Sequence, residues 1–160
     1  MFVVVCAIAA VGFETKLLAQ DASPSPAAAA AASTSQKVDT EWEGVTCELI
    51  SAKRGDGDTI TIQFKYTNNG SKDFSPTSSQ LGGNSASEEV YYVDHKNKKK
   101  YTVIEDAQKK PIASNMRSFS LDPGASRSGW TKLPAPPADV TKITVYIPGA
   151  PPFESVTLGP

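Results

Sequence analysis

The sequence is poor in the residues from which metal and redox sites are built. It contains one histidine, two cysteines and two methionines among 160 residues. Transition-metal sites recruit several imidazole or sulfur ligands, so this inventory argues against a self-contained metal centre. Two cysteines are also too few for a disulfide-rich scaffold. We therefore predict no metal site and no cofactor.

The chain also lacks an excess of either charge. Sixteen lysine and arginine residues face seventeen aspartate and glutamate residues, and the formal net charge is -1. A chain this close to neutrality has no general attraction for nucleic acid or for an anionic membrane. Nucleic acid is therefore not an expected partner.

Catalytic signatures are missing as well. The single histidine, His95, lies in a lysine-rich turn, away from the carboxylate and nucleophile that a catalytic relay requires. Asp56 and Asp58 flank Gly57, but a calcium site needs six or more oxygen ligands, and a glycine-rich turn explains the pair. We predict no catalytic residues, and an enzyme with an unrecognised site is the least favoured alternative.

The N-terminus begins with an apolar run over residues 2–13. The run is shorter than the roughly 20 residues that span a bilayer, and it suits the core of a secretory signal. We predict a signal peptide-like leader over residues 1–19, cleavage before Gln20, and export to the periplasm or the extracellular space. Cys6 in the run leaves a lipid-anchored form open, and only a retained leader would bring the chain to a membrane.

Residues 20–41 are a low-complexity segment rich in alanine, serine and proline. The segment lacks the large apolar side chains whose burial offsets the entropy of ordering. We predict a disordered linker over 20–41 and a folded domain over 42–160.

From Trp42 onward the hydrophobic pattern has a period of two. Turn residues separate the alternating runs at intervals of about ten residues, and no amphipathic helix is indicated. We predict strands at 45–50, 59–67, 90–93, 101–104, 116–121, 126–133, 142–147 and 153–158. This pattern predicts an all-β domain, an antiparallel immunoglobulin-like β-sandwich of about seven to eight strands.

Three stretches resemble a known kind of domain. They read VTCELISAKRGDGDTITIQFKYTNNGSKDF, VYYVDHKNKKKYTVIEDAQKKPIAS and SLDPGASRSGWTKLPAPPADVTKITVYIPGAPPFESVTL. They resemble small immunoglobulin-like domains that bacteria export, which stand alone or precede outer-membrane-protein-A-like domains in envelope proteins. The resemblance covers most of 43–158. It implies a β-sandwich in the cell envelope and brings no catalytic residues.

The strongest local charge feature lies in residues 96–110. Six lysines face only Glu105 and Asp106 there: Lys96, Lys98, Lys99, Lys100, Lys109 and Lys110. One interpretation is a solubilising hairpin that protects a sheet edge from unwanted pairing. The other is an electropositive site for an anionic envelope polymer or an acidic envelope protein.

Two further patterns have both a structural and a functional interpretation. Trp130 and Tyr146 are candidates for an aromatic ligand platform, although a tryptophan in a small sandwich is more often a core residue. Arg54-Gly55-Asp56 spells an adhesion tripeptide, but the same residues suit a β-turn.

These patterns predict a non-enzymatic, exported envelope module that binds or assembles with another envelope component. The alternative is a structural spacer or accessory subunit that pairs with another β protein through a sheet edge.

Overall fold

A computed structural model describes residues 35–160, so the predicted leader and residues 20–34 of the predicted linker lie outside the described residues. The described part is all-β and contains no helix, and hence none that could cross a membrane. It has eight strands: β1 Gln36–Asp39, β2 Val45–Gly55, β3 Thr59–Asn68, β4 Tyr91–Asp94, β5 Lys99–Thr102, β6 Ser126–Pro134, β7 Lys142–Tyr146 and β8 Phe153–Thr157.

The strands form two antiparallel sheets of four strands each. The first sheet has the order β1-β2-β3-β6, and the second has the order β5-β4-β7-β8. Four hairpins lie within a sheet, namely β1–β2, β2–β3, β4–β5 and β7–β8. The chain passes from one sheet to the other after β3, after β5 and after β6. The all-β prediction is therefore confirmed.

One hydrophobic core draws on both sheets. The first sheet contributes through β3, in which every second side chain is fully buried while its neighbours lie toward the surface. The buried side chains are Ile60, Ile62, Phe64 and Tyr66. Tyr92, Val145 and Phe153 of the second sheet belong to the same buried cluster. Alternation of this kind leaves one apolar face on a sheet. Apolar residues of both sheets are buried in this cluster.

Strand pairing begins before Trp42, the predicted start of the domain. Residues Gln36–Asp39, which lie in the predicted linker, form β1 and pair with Thr46–Leu49 of β2. Val38 is the one apolar residue of this strand and packs partly buried against the core. Backbone pairing needs no hydrophobic run, so composition alone gave too weak a signal for a strand.

The strand predicted at 116–121 is also wrong. Met116, Phe119 and Leu121 are buried, but only Leu121 makes an isolated bridge, and that is with Phe74. The Met116 amide instead donates to the hydroxyl Oγ of Ser85 at 2.8 Å. A side-chain acceptor thus replaces a strand partner, and the apolar residues act as separate anchors.

Candidate functional site

The β4–β5 hairpin positions the central lysines. Its register pairs Asp94 with Lys99, Val93 with Lys100 and Tyr92 with Tyr101. The buried Asp94 carboxylate closes the turn, because Oδ1 accepts the Asn97 backbone N–H at 3.1 Å and Oδ2 accepts Asn97 Nδ2 at 2.6 Å. Tyr92 and Tyr101 stack at 4.6 Å beneath the hairpin. The Asp94 carboxylate and the stacked tyrosines therefore hold the base of the turn in place.

The six predicted lysines do not form one group. Lys96 forms an ion pair with Asp139 in the loop before β7. Lys109 lies 3.9 Å from Glu105, and with Lys110 it belongs to a second turn beyond the far end of β5. Because a strand rises about 3.3 Å per residue, the length of β5 separates that turn from the hairpin tip.

Lys99 and Lys100 point to opposite faces of the second sheet, as successive residues of a strand do. Lys99 Nζ lies 4.8 Å from the ring centroid of Tyr101, whose ring is buried. Lys100 Nζ lies 3.7 Å from the ring centroid of Tyr91, on the outer face. The tyrosine rings attract the ammonium groups and restrict where they sit.

A lysine that the sequence analysis did not single out joins this end of the outer face. Tyr91 pairs with Tyr146 and Val93 with Thr144, so the next position along β7 on this face is Lys142, at the hairpin end. His95 Nε2 lies 3.0 Å from Thr144 Oγ1, which confirms that the hairpin turn reaches this end of β7. We call Lys98, Lys100 and Lys142 the basic patch; all three are exposed.

None of the three lysines of the basic patch forms an ion pair with a residue in 35–160. Two acidic residues lie close to these lysines in the sequence, and both are already engaged. Asp94 is buried and bonded to Asn97, and Asp139 is paired with Lys96. The ammonium of Lys96 holds the pKa of the Asp139 carboxyl below its usual range. The strand alternation at 142, 144 and 146 was the sequence signal that could have identified Lys142.

Trp130 and Tyr146 do not form a common platform. Trp130 lies on β6 of the first sheet, whereas Tyr146 lies on β7 of the second. The expectation that Trp130 belongs to the core is wrong as well, because 40% of its surface is exposed. Its neighbours Gly129 and Thr131 on β6 are the buried residues, and the buried tryptophan is Trp42, which packs against Tyr66 and Phe74.

Tyr146 instead pairs with Tyr91. Their rings stack at 4.5 Å with an interplanar angle of 10°, so Lys100, Tyr91 and Tyr146 form a row across β5, β4 and β7. A groove of about 340 Å³ adjoins this row. It is lined by the two tyrosines, by the loop before β4 and by the β7–β8 turn, through Ser79, Gln80, Gly82, Glu89, Tyr91, Tyr146, Ile147, Pro148 and Ala150.

The remaining motifs have structural roles. The Arg54 guanidinium donates to the carbonyls of Pro136, Pro137 and Val140 at 2.9 to 3.0 Å, so it is engaged within the protein rather than presented as an adhesion motif. Gly57 and Asp58 both have positive φ, as the tight β2–β3 turn requires. Within residues 35–160, no group of three or more His, Cys, Asp or Glu side chains is arranged to hold a metal ion.

Cys47 is a buried thiol in the core. Burial, and secondarily the charge of Glu48, raises its pKa well above the usual value. The thiol of the unfolded chain has a pKa of about 8.5, whereas the buried thiol of the native protein keeps its proton above that pH. The thiol's contribution to stability is therefore fully present below about pH 8.5 and is lost as the pH rises further.

We expect the free energy of unfolding to fall above about pH 8.5, with Cys47 contributing up to about 1.4 kcal/mol per pH unit. Cys47→Ala should flatten this slope between about pH 8.5 and 9.5, where unfolded tyrosines are still mostly protonated. Urea unfolding of both proteins across this range measures it. An identical slope in both would contradict the role assigned to the thiol.

No family model matches this chain, and no curated protein or solved structure matches it at a significant level.

Proposed function

We propose that the protein is a non-enzymatic, exported module of the cell envelope that binds an anionic envelope polymer through the basic patch. Export rests on the apolar leader predicted at residues 1–19. The binding role rests on the second sheet, whose outer face carries cations on a rigid support beside aromatic rings.

The proposal includes an immunoglobulin-like sandwich as the scaffold. The order β2-β3-β6 in one sheet and β5-β4-β7-β8 in the other supports it. In such sandwiches a hairpin in one sheet is followed by a crossing to the other sheet, and the chain returns later to extend the first sheet. Here β6 returns beside β3, and β7 then pairs with β4. Strand β1 adds a further edge to the first sheet.

The observation that carries the binding role is the state of the three lysines. Each is exposed and none has a carboxylate partner among residues 35–160, although the chain as a whole has slightly more acidic than basic residues. Lys100 lies on β5 and Lys142 on β7, the two strands that pair with β4, and Lys98 lies in the turn that Asp94 fixes. Positive charge concentrated on a rigid surface attracts an anionic polymer without reordering the protein.

Pairing through a sheet edge is less well supported. The outer edge of β6 is already bonded to the segment that follows β5: the Lys132 amide donates to Ile112 at 3.0 Å and the Lys132 carbonyl accepts from Ile104 at 3.1 Å. Strand β5, one of the two outer strands of the second sheet, has only four residues and carries Lys99 and Lys100. Short edges with lysines discourage pairing with another chain.

The test is neutralisation of the patch. We expect Lys98→Gln/Lys100→Gln/Lys142→Gln to weaken binding to polygalacturonate and to polyphosphate by about tenfold in 50 mM salt, because three ion contacts of a few tenths of a kcal/mol each are lost. The salt dependence of binding should flatten too. Glutamine is preferred to glutamate because a new negative charge near Asp94 would disturb the hairpin. Titrations monitored by calorimetry provide the affinities.

The matched control is Lys53→Gln/Lys72→Gln/Lys110→Gln, which removes the same charge from three exposed lysines elsewhere. It should keep nearly the full affinity, and both variants should melt within a few degrees of the wild type. Equal loss of affinity in the two triple variants would mean that net charge alone is responsible, and the patch would not be a site.

A further inference from the structure

The groove beside the basic patch has a mixed chemical character. Its aromatic side is the Tyr91–Tyr146 pair, and Lys100 lies at the Tyr91 end of that row. Its polar side comes from Gln80 and Glu89 in the loop before β4. A pocket of a few hundred Å³ that combines aromatic surface with a few polar groups is typical of small-ligand sites.

The polar groups retain hydrogen-bonding capacity. Gln80 Oε1 accepts from the Thr77 amide at 2.8 Å, which fixes the side chain, while Gln80 Nε2 donates to no residue in 35–160. The Glu89 carboxylate accepts one bond, from Asn84 Nδ2 to Oε1 at 2.8 Å. The hydroxyls of the core tyrosines Tyr66 and Tyr92 donate to backbone carbonyls. The hydroxyls of Tyr91 and Tyr146 make no hydrogen bond to the described residues, and both tyrosines are partly exposed.

The groove and its surroundings carry charges of both signs. Glu89 provides an anion in the lining, and Lys100 provides a cation outside the lining, against the Tyr91 ring. A polyanion without neutral groups would place only charge beside Glu89, and a neutral chain would gain nothing from Lys100. The surface therefore favours a ligand whose units each combine an acidic group with hydroxyl groups.

We propose that the groove binds sugar rings of a carboxylate-bearing glycan, with one ring against Tyr146 and the carboxylate of a neighbouring ring toward Lys100. This inference rests on the proposed function and names the polymer class. Sugar rings have apolar C–H faces that pack against an aromatic ring, and their hydroxyls pair with Gln80 Nε2 as donor and with Glu89 as acceptor. Polyphosphate has neither feature. An acidic peptide has the charge but lacks the flat, hydroxylated ring.

The test compares Tyr146→Leu and Tyr146→Phe in the full chain. With polygalacturonate as the probe, Tyr146→Leu should bind about tenfold more weakly than the wild type, and Tyr146→Phe should stay within about threefold. With polyphosphate, both variants should bind like the wild type, because that contact is made by lysines only. Trp130→Leu, which removes the exposed ring of the other sheet, is the control and should leave both affinities unchanged.

A second variant guards against misfolding of Tyr146→Leu. Gln80 is exposed, so Gln80→Ala should fold normally and still weaken polygalacturonate binding about threefold. The glycan assignment is wrong if Tyr146→Leu and Gln80→Ala each change the affinity for polygalacturonate and for polyphosphate equally. The proposed function stands in that case if the triple variant of the basic patch still binds both polymers more weakly. Tighter binding of polyglutamate than of polygalacturonate would likewise overturn it in favour of an acidic peptide. If the wild type binds none of these polymers, both ideas are wrong.

Discussion

Gly129→Ala should destabilise the protein by about 3 kcal/mol and lower Tm by about 10 °C, more than its single added methyl group suggests. Gly129 is buried on β6 opposite Phe64 of β3. A Cβ atom there would lie 2.6 Å from Phe64 Cζ and 2.9 Å from Ser87 Oγ, and it would also overlap Met116 Sδ. The Phe64 ring is fully buried, so the overlap can be relieved only by moving the core.

The control for this prediction is Gly55→Ala at the end of β2. A Cβ atom at Gly55 meets only Thr59 Oγ1, at 3.4 Å, which is an ordinary contact. The substitution should leave Tm unchanged or raise it slightly, because alanine restricts the unfolded chain. Thermal unfolding of the two variants checks both. A Gly129→Ala protein as stable as the wild type would show that the core around Phe64 is not packed as described.

Asn68→Ala should cost about 2 to 3 kcal/mol, because one buried side chain bonds three backbone groups. Asn68 Nδ2 donates to the Lys72 and Leu121 carbonyls at 2.8 Å each, and its Oδ1 accepts the Gly70 amide at 2.9 Å. These bonds fasten the loop after β3 to the segment before β6. Alanine would remove all three bonds, of which the bond to the Leu121 carbonyl is fully buried and those to Lys72 and Gly70 are partly buried.

Asn69→Ala is the matched control. Asn69 is exposed, and its side chain bonds Thr46 Oγ1 at 3.0 Å on the surface. Its loss should change the free energy of unfolding by no more than about 0.5 kcal/mol. Urea unfolding of the two single variants separates them, and a similar cost for both would contradict the structural role given to Asn68.

The strands whose apolar residues alternate regularly and are buried were predictable from the sequence. The β2–β3 hairpin, with its Gly57 turn, and the β4–β5 hairpin appear nearly where the pattern placed them. Strand β1 was missed because Val38 is its only apolar residue. The segment 116–121 was misjudged because its buried residues are held by side-chain hydrogen bonds and one isolated bridge, which hydrophobic periodicity does not reveal.

The candidate site was predictable only in part. The run Lys98–Lys99–Lys100 was evident in the sequence, but alternation along β5 turns Lys99 away from Lys100. Lys142 and Tyr146 join Lys100 and Tyr91 only through the register between β4 and β7. That register sets distant segments of the chain side by side, and no local pattern contains it. The prediction that Trp130 belongs to the core was wrong because the space beside Phe64 has no room for a Cβ atom. Gly129 therefore points inward, and Trp130 points to the surface.

The most direct measurement of the central claim is the location of binding on the full chain in solution. Backbone amide chemical shifts, followed by NMR during a titration with polygalacturonate in low salt, report it residue by residue. We predict saturable shifts confined to the β4–β5 hairpin, to Lys142–Tyr146 and to the groove residues Gln80 and Glu89, with the Trp130 indole unmoved. Shifts centred on the first sheet, or spread evenly over the surface, would contradict it.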